Sequence, residues 1–181
     1  MGFLVDAHNL PITLAVLVLL ARFGDIGSTY LATPTLAMES NPLMRAGGWW
    51  LAGTTVLACL IPFWSAPLGL TILVLSLMVT GSNLSKGWLM QALGEIGYQQ
   101  MIRGAARRSS LPVALGFTLG SAAVIGAVGM ILIYVSGGPD TRAYWAASGV
   151  AIYALAMAAY GTLAVVRTFR GVRPGGDPDV T

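Results

Sequence analysis

The stretch LPITLAVLVLLARFGDIGSTYLA, Leu10 to Ala32, decides the fold class. A helix that crosses a bilayer needs roughly 20 predominantly apolar residues, and this run supplies them with only Arg22 and Asp25 charged. Asn9 is placed to cap its start, and Pro11 suits the first turn, where a missing N–H costs nothing. The rest of the chain repeats the pattern. Apolar runs over Ala46–Phe63, Ala66–Leu84, Leu111–Val135 and Ala143–Val166 predict four further spans, with Pro62 and Pro67 bracketing a tight turn between the second and third. The expected fold is all-α, a bundle of about five transmembrane helices.

Composition agrees. Of 181 residues, 56% are hydrophobic and 9% charged, against about 25% charged in soluble domains. Mean hydropathy is +0.75. Lipid is therefore the expected solvent for much of the surface. The net charge of +3 is carried in clusters, whereas nucleic-acid binding needs a broad basic face, so no nucleic-acid partner is expected. One cysteine, Cys59, and one histidine, His8, exclude a disulfide framework, a cysteine-based zinc or iron–sulfur site and bis-histidine haem ligation within one chain. The start, MGFLVDAHNLP, lacks the basic region of a signal peptide, and Asp6 breaks the myristoylation pattern. The first helix is thus expected to remain in the mature protein.

Positive charge sets the expected orientation, because Lys and Arg gather in cytoplasmic segments. Lys86, Arg103, Arg107 and Arg108 follow the third span, and Arg167, Arg170 and Arg173 follow the fifth. Arg142, beside Asp140, stands alone between the fourth and fifth. Five spans then place the chain in the plasma or inner membrane with residues 1–9 outside, the Thr33–Arg45 loop cytoplasmic and the C-terminus cytoplasmic. Ser85–Arg108 reads as an amphipathic helix, with Trp88, Leu89, Leu93, Ile96 and Met101 against Lys86, Gln91, Gln99, Gln100 and Arg103. It either lies in the cytoplasmic interface or continues the third span. Residues 85–110 therefore separate a three-helix core, 10–84, from a two-helix hairpin, 111–167, and residues 168–181 form an expected disordered tail. Gly116/Gly120 and Ala122/Gly126 are small-residue pairs that favour close helix packing in that hairpin.

Polar residues concentrate at the inner end of the first span. Asp25, Ser28 and Thr29 share one helical face, with Arg22 one turn earlier as an ion-pair partner for Asp25. Asp25 lies about 22 Å along the helix from Leu10, where an unpaired carboxylate costs a few kcal/mol. Pro34 and Pro42 break the following helix, and Asn41 before Pro42 is expected to be extended or capping. Asn83 and Lys86 close the third span at the same cytoplasmic level. Asp25, Ser28, Thr29, Glu39, Asn41, Asn83 and Lys86 are therefore the expected binding residues, with Asp25 and Glu39 the expected ligands if a metal is held.

These residues carry a resemblance. Asp25-x-x-Ser28-Thr29, then Glu39-x-Asn41-Pro42-Leu43, then Asn83, resembles a family of small prokaryotic multi-pass membrane proteins of unknown function, over roughly residues 12–90. The family implies one shared site and no known activity. Ser109–Thr181 adds two spans that the family core lacks.

Three functions fit these features. A carboxylate and amide pocket suits a hard cation, or an anionic lipid headgroup beside Lys86 and Arg45. Gly- and Ala-rich helices, Trp49–Trp50 and Trp88 suit an accessory subunit of a larger membrane complex, or a homo-oligomer. An enzyme acting on a lipid-borne substrate, with Asp25 and Glu39 as acid and base, ranks third: no metal triad, activated nucleophile or aspartate-rich diphosphate motif accompanies them. Ion pair and capped turn serving only as interhelical glue is the competing structural reading.

Overall fold

Apolar faces long enough to need lipid or one another organise the whole chain. In the computed structural model, which describes residues 9–36, 39 and 41–172, every regular element is helical. Helix α1 spans Leu10–Ala32, α2 spans Pro42–Thr54 and runs into 3-10 turns over Thr55–Phe63, α3 spans Ala66–Arg108, α4 spans Leu111–Val135 and α5 spans Arg142–Gly171. Five helical stretches, Pro42–Phe63 counted as one, are long and apolar enough to cross a membrane. His8 and residues 173–181 lie outside the described residues, while residues 168–171, expected in the tail, are the last of α5.

Local chemistry sets the boundaries. Pro11 opens α1, but the Asn9 side chain makes no cap bond; instead Thr13 Oγ1 donates to the Asn9 carbonyl at 3.0 Å. The second helix starts earlier than its apolar run, at Pro42, because Asn41 is extended and its Oδ1 accepts from Leu43 N at 3.0 Å. It kinks at Gly48, whose φ of 61° favours glycine. The tighter 55–63 turns coincide with β-branched Thr54, Thr55 and Val56 and with Pro62, which cannot donate to an α-helical ladder. Ser65 then caps α3, accepting from Leu68 N at 3.4 Å. The third helix does continue past Leu84, as one 43-residue run broken by non-helical geometry at Gly94.

Helix α3 is central. It packs on α1 and the 55–63 turns on one side and on α5 on the other, while α4 packs on α5. Thr71 Oγ1 donates to the Trp145 carbonyl at 2.9 Å. Gly149 makes that crossing possible, since a Cβ there would lie 2.7 Å from the Thr71 carbonyl oxygen. The α4–α5 seam uses Ala122, Gly126 and Gly129: Ala122 is buried, Gly126 faces Ala154, and a Cβ on Gly129 would meet the Ala151 backbone at 2.9 Å. Gly116 and Gly120, expected in the same seam, face open space. Both pairs have helical spacing, but α5 approaches only the second.

Overpacking a close crossing costs about 1–3 kcal/mol. Gly149→Val is therefore expected to lower stability by that amount in detergent, measured by thermal unfolding, while Gly120→Val stays within about 0.5 kcal/mol of the parent. Equal losses would refute this assignment of the packing faces.

Candidate functional site at the C-terminal end of α1

Arg22 is the most heavily bonded side chain of α1. Its Nη1 donates to Asp25 Oδ2 at 2.7 Å and to Ser76 Oγ at 3.3 Å, and its Nη2 donates to Thr55 Oγ1 at 2.6 Å. Ser76 is completely buried. One guanidinium thus ties α1 to the 55–63 turns and to α3, and its Nε is buried without a hydrogen bond. A fork of fixed N–H donors suits this bridging task better than a lysine ammonium.

One turn further along α1, Asn83 Nδ2 donates to Thr29 Oγ1 at 2.9 Å and to Ser28 Oγ at 3.4 Å. Ser28 Oγ donates back to the Asp25 carbonyl at 3.0 Å. On α3 the facing residues are Ser76, Thr80 and Asn83, spaced i, i+4, i+7 and so on one face. Thr80 reaches within 3.5 Å of where a Cβ on Gly24 would lie, so the two helices approach closely here.

The loop after α1 is held through Glu39, Trp49 and Glu95. Glu39 Oε1 accepts from Asn41 N at 2.8 Å, which makes the Glu39–Asn41–Pro42 stretch a capped turn. Trp49 Nε1 donates to the Pro34 carbonyl at 2.9 Å, and its ring meets Tyr30 edge-on at 5.3 Å. Glu95, on α3 beside the Gly94 break, accepts from Thr33 Oγ1 at 2.7 Å, from Thr35 N at 3.2 Å and from Thr35 Oγ1 at 2.5 Å. A groove of about 600 Å³ runs beside this latch, between Leu31, Pro34 and Thr35 and the α3 residues Met90, Glu95 and Ile96.

The expected residues therefore divide. Arg22, Asp25, Ser28, Thr29 and Asn83 form one continuous network, whereas Glu39 bonds to Asn41 N in the loop that follows. Asn41 serves the α2 cap. Lys86 is exposed, with no hydrogen bond or ion pair to the network among the described residues, and Arg45 is exposed as well. No group of three or more His, Cys, Asp or Glu side chains converges among the described residues. Asp25 is the carboxylate of the network among the described residues, and Glu39 is that of the loop.

Sequence reasoning missed Thr55, Ser76 and Glu95. Ser76 had a usable signal, since it extends the Thr80–Asn83 face toward Arg22. Glu95 had none: it meets the loop across 60 residues of chain. No protein-family model, curated protein or solved structure matches the chain.

Desolvation raises the Glu95 carboxyl, but hydrogen bonds from Thr35 and Thr33 outweigh it and hold the group below its ordinary 4.5. A lowered folded value means that the latch stabilises above the unfolded value and fades as pH falls through the folded one. Glu95→Gln is expected to cost about 1 kcal/mol at pH 7. The difference between parent and variant in thermal unfolding should shrink toward zero below about pH 4.5; a difference that does not change with pH would refute the charged latch.

Proposed function

We propose that this chain is an integral protein of the plasma or inner membrane, N-terminus outside and C-terminus cytoplasmic, whose inner polar cluster binds a divalent cation at Asp25 and Glu39. The observation that carries this reading is the run of oxygen-bearing side chains at one end of α1, where Asp25 Oδ2 holds Arg22, Ser28 and Thr29 meet Asn83, and the loop that follows brings in the Glu39 carboxylate. Two carboxylates against one guanidinium leave the cluster net negative. Thr29 on the next turn of α1 and Asn83 facing it from α3 add oxygen ligands, and hard cations take such oxygens together with retained waters. An anionic headgroup fits less well, because Lys86 and Arg45 are exposed apart from the network. Acid–base catalysis gains no support from an Asp25 engaged in an ion pair. The family resemblance rests on these same residues, and the shared site it implies belongs to this proposal.

A second reading, the accessory subunit, draws on α4. That helix packs on α5, while Gly116 and Gly120 face open space and Phe117 is 76% exposed. Native mass spectrometry after gentle extraction distinguishes the readings, since a subunit brings other chains in stable ratio.

Cation binding to the folded state raises stability by about 1.4 kcal/mol at ten times Kd. Thermal unfolding of the purified protein is expected to shift upward with Mg²⁺ or Ca²⁺, and Glu39→Gln is expected to abolish the shift while leaving the Arg22–Asp25 pair in place. An unshifted parent, or an equal shift in the variant, would reduce the cluster to a structural lock.

A further inference from the structure

The segment between α3 and α4 is constrained at both ends. A helix rises about 1.5 Å per residue, so a hydrocarbon layer of about 30 Å is crossed in roughly 20 residues. Counted from Ala66, that level is reached near Lys86. The helix runs a little further and breaks at Gly94, with φ 67° and ψ 166°. It resumes to Arg108, and only the extended residues Ser109 and Ser110 precede α4. Helix α4 is apolar from Leu111 onward and needs the same layer. Residues 95–108 therefore start close to the bilayer surface and must be back at it when they end. A helix of about 21 Å with both ends at one surface lies along that surface.

Its chemistry matches such a position. Arg103, Arg107 and Arg108 are exposed, as is Lys86 before the break, and none has an ion-pair partner among the described residues. Ile96 is 74% and Met101 40% exposed. Glu95, the only acid between residues 85 and 110, is turned to Thr33 and Thr35. The opposite side of the helix carries Ala106, which is buried. The face away from the protein is thus basic with apolar residues between the charges, the pattern that binds anionic headgroups.

We infer that residues 95–108 form a surface-lying helix docked on an anionic cytoplasmic leaflet, with Arg103, Arg107 and Arg108 on the headgroups and Ile96 and Met101 at the acyl boundary. This rests on the reading of α3 and α4 as spans. In a Cys59→Ser background, spin labels at Ile96→Cys and Met101→Cys report depth by collision with oxygen and with a water-soluble nickel chelate. Val124→Cys, exposed on α4, serves as the reference. The full chain is reconstituted in phosphatidylcholine alone or with phosphatidylglycerol added. The Val124 label should be lipid-buried in both. Labels at 96 and 101 should lose nickel accessibility by about threefold or more with phosphatidylglycerol, and regain it at high salt. Replacing Arg103, Arg107 and Arg108 together by Gln should erase that dependence, and the lipid comparison on the native arginines stands if that variant misfolds. A lipid-buried Val124 label with composition-blind labels at 96 and 101 overturns this inference alone. A water-accessible Val124 label overturns the spanning reading and this inference with it.

Discussion

A guanidinium placed among leucines must be neutralised and hydrogen-bonded or it unfolds its surroundings. Arg22 meets that demand by drawing on three elements at once, through Asp25, Ser76 and Thr55. Replacing a buried ion pair with well-packed apolar residues often costs nothing, whereas removing one partner alone leaves a stranded charge. The network is therefore better understood as specifying register than as adding stability. With Arg22 bound to Ser76, and Asn83 bound to Thr29 two turns along α3, neither helix can slide or rotate against the other without losing charged or polar bonds at both places.

Close contact between small residues does for α3, α4 and α5 what the polar network does for α1 and α3. Where a helix's surroundings are as apolar as its own side chains, burial gains little, so shape and close approach decide which helices associate. Gly149 lets α5 reach the α3 backbone, and Gly129 lets α4 reach the α5 backbone. The bundle is thus joined by two different mechanisms on opposite sides of α3, and α4 lies at its far edge.

Much of this was legible in the chain. The extents of α1 and α4 follow from apolar length and flanking proline, and the Arg22–Asp25 pair follows from i, i+3 spacing. The capped turn at Asn41 follows from Asn before Pro. What periodicity cannot supply is azimuth between helices. Gly116/Gly120 and Ala122/Gly126 satisfy the same spacing rule, and only the approach of α5 separates them. Lys86 shares a depth with the polar residues yet points elsewhere, because depth along a helix says nothing about which side a residue occupies. Glu95 is a tertiary fact altogether, joining α3 to the loop after α1 with no local pattern to betray it.

Two adjacent residues then settle how the C-terminal end of α1 is arranged. Gly94 adopts a φ that a residue with a Cβ avoids, so the axis of α3 changes there rather than a residue earlier or later. Glu95, the first residue after the break, is thereby brought against Thr33 and Thr35 and binds the loop that follows α1. Had α3 continued straight, the same carboxylate would lie off that line, and the loop would lose these bonds. The first residues of that loop are consequently held from α3 as well as from α1. The polar network fixes the helices, the glycine redirects one of them, and the glutamate ties that new direction to Thr33 and Thr35 at the end of α1.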